Sequence, residues 1–223
     1  DGFGNLISMT DANGQTTSFA YNANNQLVRT IFPDGSFASI GYDELGRRLS
    51  ETDQAGRTTW FAHDEVGQLT AVMDAIGNIT RFDYDEAGNK TAEIDANGNT
   101  TRYKYDKMDR LVEMELPMGQ TRSYAYNSLG QLVSTTDFNG QTATFAYDSD
   151  GRLATKTNPD SSAVSYTYTA FGQPETIQDA NGTIEYGYDD LNRLIRETRY
   201  DASMNLLHQI MYEYDWNGNR TLL

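Results

Sequence analysis

One spacing governs this chain. An aromatic-x-Tyr pair, then Asp-x-x-Gly, then a basic or amide residue and Leu, returns every 21 residues, and its fullest copy is TATFAYDSDGRL at Thr142–Leu153. The Tyr of that copy, Tyr147, has counterparts at Tyr21, Tyr42, His63, Tyr84, Tyr105, Tyr126 and Tyr168, each 21 residues from the next, and then at Tyr188 and Tyr214 after one short and one long step. Self-similarity at a fixed period marks a repeat architecture, in which each unit buries its apolar side only against its neighbours. Residues 1–223 are therefore expected to form a single array of about ten units. The chain opens at Asp1-Gly2-Phe3-Gly4-Asn5-Leu6, the motif without its Tyr, so the array is expected to be a piece of a longer one.

Each period carries two turns. The first follows the Tyr, and the second recurs as Asp11–Gly14, Asp53–Gly56, Asp74–Gly77, Asp95–Gly98, Asp137–Gly140 and Asp179–Gly182. An Asp opening a turn accepts a hydrogen bond from the backbone two residues on, and a Gly three residues later takes φ > 0 without a Cβ clash. The combination predicts a type I turn closing a hairpin, with a bulge at the Gly. Pro33-Asp34-Gly35 and Pro117-Met118-Gly119 break the pattern but keep a turn, because Pro pre-sets φ.

Between turns lie runs of five or six residues, such as Thr100–Tyr105 and Leu111–Glu115, that alternate with period two and have no helical period. They predict strands of an antiparallel meander. Two residues before each Tyr slot stand Phe19, Ile40, Phe61, Phe82, Tyr103, Tyr124, Phe145, Tyr166, Tyr186 and Tyr212, on the same strand face as the Tyr. If the hairpin pairs as expected, each Tyr lies across from the Leu six residues later, as Tyr147 from Leu153. An odd period flips successive units to opposite faces unless one bulge per unit corrects the register. A bulge giving one continuous aromatic ladder is the expected solution, with alternate-face stacking the other.

Twenty strands would make a sheet nearly 100 Å wide, beyond what open sheets reach without curling. The expected fold class is all-β: antiparallel hairpins in one long coiled or spiral sheet, hollow rather than packed. Composition agrees, since only 38% of the residues are hydrophobic, too few for a thick core. The net charge of −15 could suit a disordered chain, but 2 Trp, 15 Tyr and 9 Phe do not. There is no Cys and no apolar run of membrane-spanning length.

The recurring Tyr-Asp-x-x-Gly-(Arg/Gln/Asn)-Leu, complete at Tyr147–Leu153 and nearly so at Tyr105–Leu111, Tyr126–Leu132 and Tyr188–Leu194, resembles the tyrosine-aspartate (YD) repeat of Rhs proteins. Similar arrays occur in bacterial Rhs polymorphic toxins, insecticidal toxin-complex subunits and animal teneurins. The resemblance covers essentially the whole chain and implies a spiral β shell that, in the bacterial cases, encloses a C-terminal toxic domain. It also implies a secreted or cell-surface parent, with the cargo domain of the same parent chain and neighbouring repeats as partners. His63 replaces Tyr, Asn25, Asp109 and Asn192 replace Gly, and Arg48, Lys90, Pro174 and Arg220 replace Leu. The Asp-Pro-x-Gly-Leu-like stretch that accompanies self-cleavage in such relatives is missing from these residues.

Chemistry is sparse. No nucleophile stands beside His63 or His208, so the expectation is no enzyme, no catalytic residue and no cofactor. The Asp-Ala-Asn-Gly turns lack the alternating carboxylates of a calcium loop, and no metal site is expected. With 32 acids against 17 bases, phosphate would be repelled, and nucleic acid is not expected as a partner. Two functions compete: a structural shell segment that encloses or carries a toxin domain, and an extracellular adhesion or carbohydrate-binding module using Trp60, Phe37 and Trp216. Exposed sheet edges would also favour self-association. Glu51, Glu93, Glu113, Glu115 and Glu197 fall within strands, where they either attract a basic cargo or keep the sheet soluble.

Overall fold

The computed structural model describes residues 1–222, and among them every regular element is a strand. The chain divides into two compact units, Asp1–Gly119 and the remainder from Gln120. The first holds β1 (Ser8–Thr10), β2 (Thr16–Tyr21), β3 (Leu27–Ile31), β4 (Phe37–Tyr42), β5 (Arg48–Thr52), β6 (Thr58–His63), β7 (Leu69–Met73), β8 (Ile79–Tyr84), β9 (Lys90–Ile94), β10 (Thr100–Tyr105) and β11 (Leu111–Glu115). The second holds β12 (Thr121–Tyr126), β13 (Leu132–Thr136), β14 (Thr142–Tyr147), β15 (Leu153–Thr157), β16 (Ala163–Tyr168), β17 (Pro174–Asp179), β18 (Gly182–Tyr188), β19 (Leu194–Asp201) and β20 (Leu206–Met211). A separate short hairpin follows, β21 (Glu213–Tyr214) with β22 (Arg220–Leu222). From β1 to β11 and from β12 to β20 every strand pairs antiparallel with the next, a meander without crossovers.

The ladder corrects its own parity. On β14, Phe145 pairs with Lys156 and Ala146 with Thr155, yet Tyr147 pairs with Leu153, so Ala154 is the residue left over. The same shift precedes Tyr21, Tyr42, His63, Tyr84, Tyr105, Tyr126, Tyr168 and Tyr188. Ser134 is level with Thr144, and Thr144 with Thr157, whereas the repeat equivalent of Ser134 is Thr155, 21 residues on. The stagger per period is thus two residues rather than one, an even number, and each Tyr returns to the same face. Of the two packings the sequence allows, the structure has the bulged one.

The turns alternate between two edges of each sheet. At the tyrosine edge Gly151 N–H donates to Asp148 O and Asp148 N–H to Arg152 O, a type I turn with Gly151 at φ 81°. At the opposite edge Asp137–Gln141 repeats the scheme, but the flanking strands pair flush, with Thr136 opposite Thr142. Thr hydroxyls bond across that junction at Thr10–Thr16, Thr52–Thr58 and Thr136–Thr142, which makes it a threonine edge. Asn25, Asp109 and Asn192, standing for Gly, take φ of 59°, 57° and 61°.

Asp179–Gly182 departs from expectation. It closes as a two-residue loop, because Asp179 pairs directly with Gly182. That loop is one residue tighter, which accounts for the short step from Tyr168 to Tyr188. Gly182, at φ 147°, cannot be replaced freely: a Cβ there would stand 2.0 Å from Tyr200 O. The long step to Tyr214 has the usual two turns but a longer hairpin, β19 running eight residues, and at its far end Tyr200 pairs with Leu206 across a register shift.

Packing is confined to one layer within each unit's sheet. Among the described residues only Ala92, Thr183 and Thr198 are buried, and the Tyr slots are half-buried.

Candidate functional site: the tyrosine edge

Tyr21, Tyr42, Tyr84, Tyr105, Tyr147, Tyr168, Tyr188 and Tyr214 use their hydroxyls in the same way. Tyr147 Oη donates to Leu132 O at 2.8 Å, on the strand before its own, while its ring faces Leu153 on the strand after. Tyr21, Tyr42, Tyr84, Tyr105 and Tyr168 likewise donate to Leu6, Leu27, Leu69, Lys90 and Leu153 O, each 15 residues back. Tyr188 reaches Pro174 O and Tyr214 reaches Leu194 O. Tyr126 occupies its slot opposite Leu132. The acceptor lies beyond the last residue pair of the junction between the two strands, so the phenol joins them where their ladder has ended. Burial pushes the Tyr105 and Tyr188 hydroxyls up in pKa, so both remain protonated donors near neutral pH.

His63 holds its place in the ladder opposite Leu69, as an aromatic substitute should. It does not supply the bond: its Nδ1 is buried and without a partner. An imidazole is shorter than a phenol, so the rung keeps the ring and loses the stitch.

In several units the residue after the Gly position adds a second connection, one that the motif alone does not reveal. Arg47 donates from Nε to Asp43 Oδ2 at 2.6 Å and from Nη1 to Asp64 O at 2.7 Å, joining its own turn to the next along the edge. Arg152 binds Asp148 Oδ2 and Thr169 O, and its guanidinium lies 4.9 Å from the Tyr168 ring. Gln26, Gln131 and Gln173 reach Gly46, Gly151 and Asn192 O, 19 or 20 residues ahead. Adjacent turns are one period apart in sequence, so no local rule would reveal these partners.

Within each turn the opening Asp accepts the backbone N–H groups of the second and fourth residues after it, as Asp53 does from Ala55 and Arg57. These donors favour the charged form. The backbone N–H four residues on is the foremost cause holding Asp53, Asp85, Asp148 and Asp189 below the usual carboxyl range. For Asp74, Asp95, Asp201 and Asp215 it is an Asn side-chain amide at that position.

The strand acids divide between the faces. Glu51, Glu93 and Glu197 pair with Ile40, Phe82 and Tyr186 on the tyrosine face, while Glu113 and Glu115 pair with Lys104 and Arg102 on the other. Four of them are ion-paired, with Arg48, Lys90, Arg199 and Lys104. Trp60 and Phe37 do share the face opposite the tyrosines. Gly41 is level with Ser50 and Ser50 with Trp60, so Phe37 lies two strands and four residues away, roughly 16 Å. Arg29 covers the Phe37 ring at 3.9 Å. Trp216 is on the separate β21–β22 hairpin. The three therefore do not make one stacking platform. No group of three or more His, Asp or Glu placed to hold a metal occurs among the described residues.

Within each compact unit the sheet is a single-layer meander whose periods are joined by Tyr hydroxyls and turn-to-turn side chains. The sequence matches the Teneurin YD-shell family over residues 1–219, and the chain belongs to that family. Among solved structures, the TcdB2-TccC3-TEV crystal structure is 19% identical and superposes with a TM-score of 0.69 over 99% of this chain and 15% of that one. The Tc holotoxin pore of Photorhabdus luminescens is 20% identical, with a TM-score of 0.58 over 96% of this chain and 14% of that one. The chain thus shares their fold and spans about 15% of the length of such relatives. No curated protein matches it.

Proposed function

We propose that this array is a wall segment of a shell that encloses or carries a toxin domain of its own parent chain, in a secreted or cell-surface protein, and that it performs no catalysis itself. The observation that carries the reading is the construction of the wall: Tyr hydroxyls tie periods to the one before, and in several units an Arg or Gln ties a period to the one after. Such a strip can be long without a core of its own, which is what enclosure asks of a protein. Membership of the YD-shell family and the fold shared with a holotoxin pore support the same reading. The paired strand acids argue that any cargo is enclosed by the wall rather than held by strand charge.

Limited proteolysis of the parent chain tests this. The domain it carries should be resistant while the shell is intact and cut rapidly once urea opens the array. A domain cleaved equally fast in both states would refute enclosure. A saturable oligosaccharide titration on the isolated array, lost in Trp60→Ala, would favour the adhesion reading instead.

A further inference from the structure

Each turn at the tyrosine edge places its third residue at the tip; in the first unit these are Phe3, Asn24, Leu45, Val66, Ala87 and Met108, all exposed, and the last four make an unbroken apolar run. Leu45, Val66 and Met108 are 75%, 81% and 64% accessible, which is unusual for three side chains in one row. Just before three of the four tips stand Glu44, Glu65 and Glu86, exposed and without an ion-pair partner among the described residues. At the threonine edge of the same unit the corresponding second residues are Ala12, Pro33, Gln54, Ala75, Ala96 and Pro117, with no acid. The tyrosine-edge tips are also held in place, through Arg47 on Asp64 O and Gln26 on Gly46 O.

We propose that this ridge docks a basic amphipathic α-helix lying along the row of tips, which the two-residue stagger inclines away from the perpendicular to the strands. Two strands per period and that stagger set the tips about 11.7 Å apart. Seven helical residues advance about 10.5 Å, so residues seven apart meet successive tips with a drift of about 3.5 Å over the four. Convex Leu, Val and Met side chains fit between the side chains of a helix stripe as knobs enter holes. Lys or Arg flanking that stripe would meet Glu44, Glu65 and Glu86. A second copy of this chain has the same pitch but brings glutamates against glutamates at a net charge of −15 per chain, which disfavours it. Tips already fixed by their stitches lose little freedom on binding.

The probe is a fluorescent four-heptad peptide with Leu in a single stripe and Lys on both flanks, titrated against the 223-residue chain at physiological salt with anisotropy as readout. Saturable binding is expected, weakened at least tenfold by the triple variant Leu45→Ser, Val66→Ser, Met108→Ser. The triple Glu44→Gln, Glu65→Gln, Glu86→Gln should weaken it similarly, and Leu129→Ser with Leu191→Ser in the second unit should leave it within twofold. All these side chains are exposed, and circular dichroism verifies that each variant stays folded. Equal affinity for a scrambled peptide of the same composition, or equal loss from the second-unit variant, would overturn the proposal. So would sedimentation showing that the ridge is covered by a second copy.

Discussion

The two edges of each sheet use the same turn and do different things with it. At the threonine edge, Asp137–Gln141 closes with flush strands and a Thr pair, and its bonds are local. At the tyrosine edge, Asp148–Arg152 has the same backbone scheme, but Tyr147 reaches back to Leu132 and Arg152 forward to Thr169. Turn chemistry alone therefore makes hairpins. The tyrosine edge adds ties between periods, because there a Tyr hydroxyl reaches the strand before and an Arg or Gln the turn after.

Acid should have the broadest effect, since it attacks what the edges share. Turn carboxyls at both edges, Asp43, Asp85 and Asp148 at one and Asp53, Asp74 and Asp95 at the other, have lowered pKa values when folded. A carboxyl whose folded pKa is lowered contributes stability that is complete above its unfolded value near 4 and is lost as pH falls through the folded one. Melting temperature should be level from pH 7 to about 5 and decline steadily below 4. A level or rising profile to pH 3 would show that the turns contribute nothing through charge.

Single substitutions should separate the edges. Tyr147→Ala removes a half-buried ring and its bond, and should cost about 2 kcal/mol in urea unfolding. Thr142→Ala, at the other edge, should cost under about 1 kcal/mol. Equal costs would abolish the distinction. Met204 holds φ 61° at a Gly-like turn position, so Met204→Gly should gain about 1 kcal/mol. His63→Tyr should gain up to about 1 kcal/mol by supplying the donor that its rung lacks. No gain would mean that the Arg48 carbonyl is satisfied otherwise.

Much of this was legible in the residues, and the failures have physical causes. The odd period of 21 forced a choice between a bulge and alternating faces, and the aromatic pair repeated in every unit pointed to the bulge. The face of Tyr147 and its Leu153 partner followed from period-two geometry. What could not be read was anything spanning a whole period: the hydroxyl acceptor lies 15 residues back and the Arg or Gln acceptor 17 to 20 ahead. Asp179–Gly182 has the same residues as Asp11–Gly14, yet it closes one residue tighter because the shortened period is absorbed there. Tyr200 escaped notice because it is out of phase, 12 residues after Tyr188, at an edge where the array otherwise has no tyrosine. The strand acids could be placed in strands but not on faces until the bulge fixed the register.

The central claim is that where a Tyr fills the slot its hydroxyl, not merely its aromatic ring, ties the period to the one before. β16 contains its own control. Tyr168 donates to Leu153 O at 2.9 Å, whereas Tyr166, two residues earlier on the same face, has no hydrogen-bond partner for its hydroxyl among the described residues. Tyr168→Phe and Tyr166→Phe delete the same atom from the same strand. Urea unfolding of the two variants should show a loss of about 1 kcal/mol for Tyr168→Phe and no measurable loss for Tyr166→Phe. Equal losses, or none in either, would contradict the account.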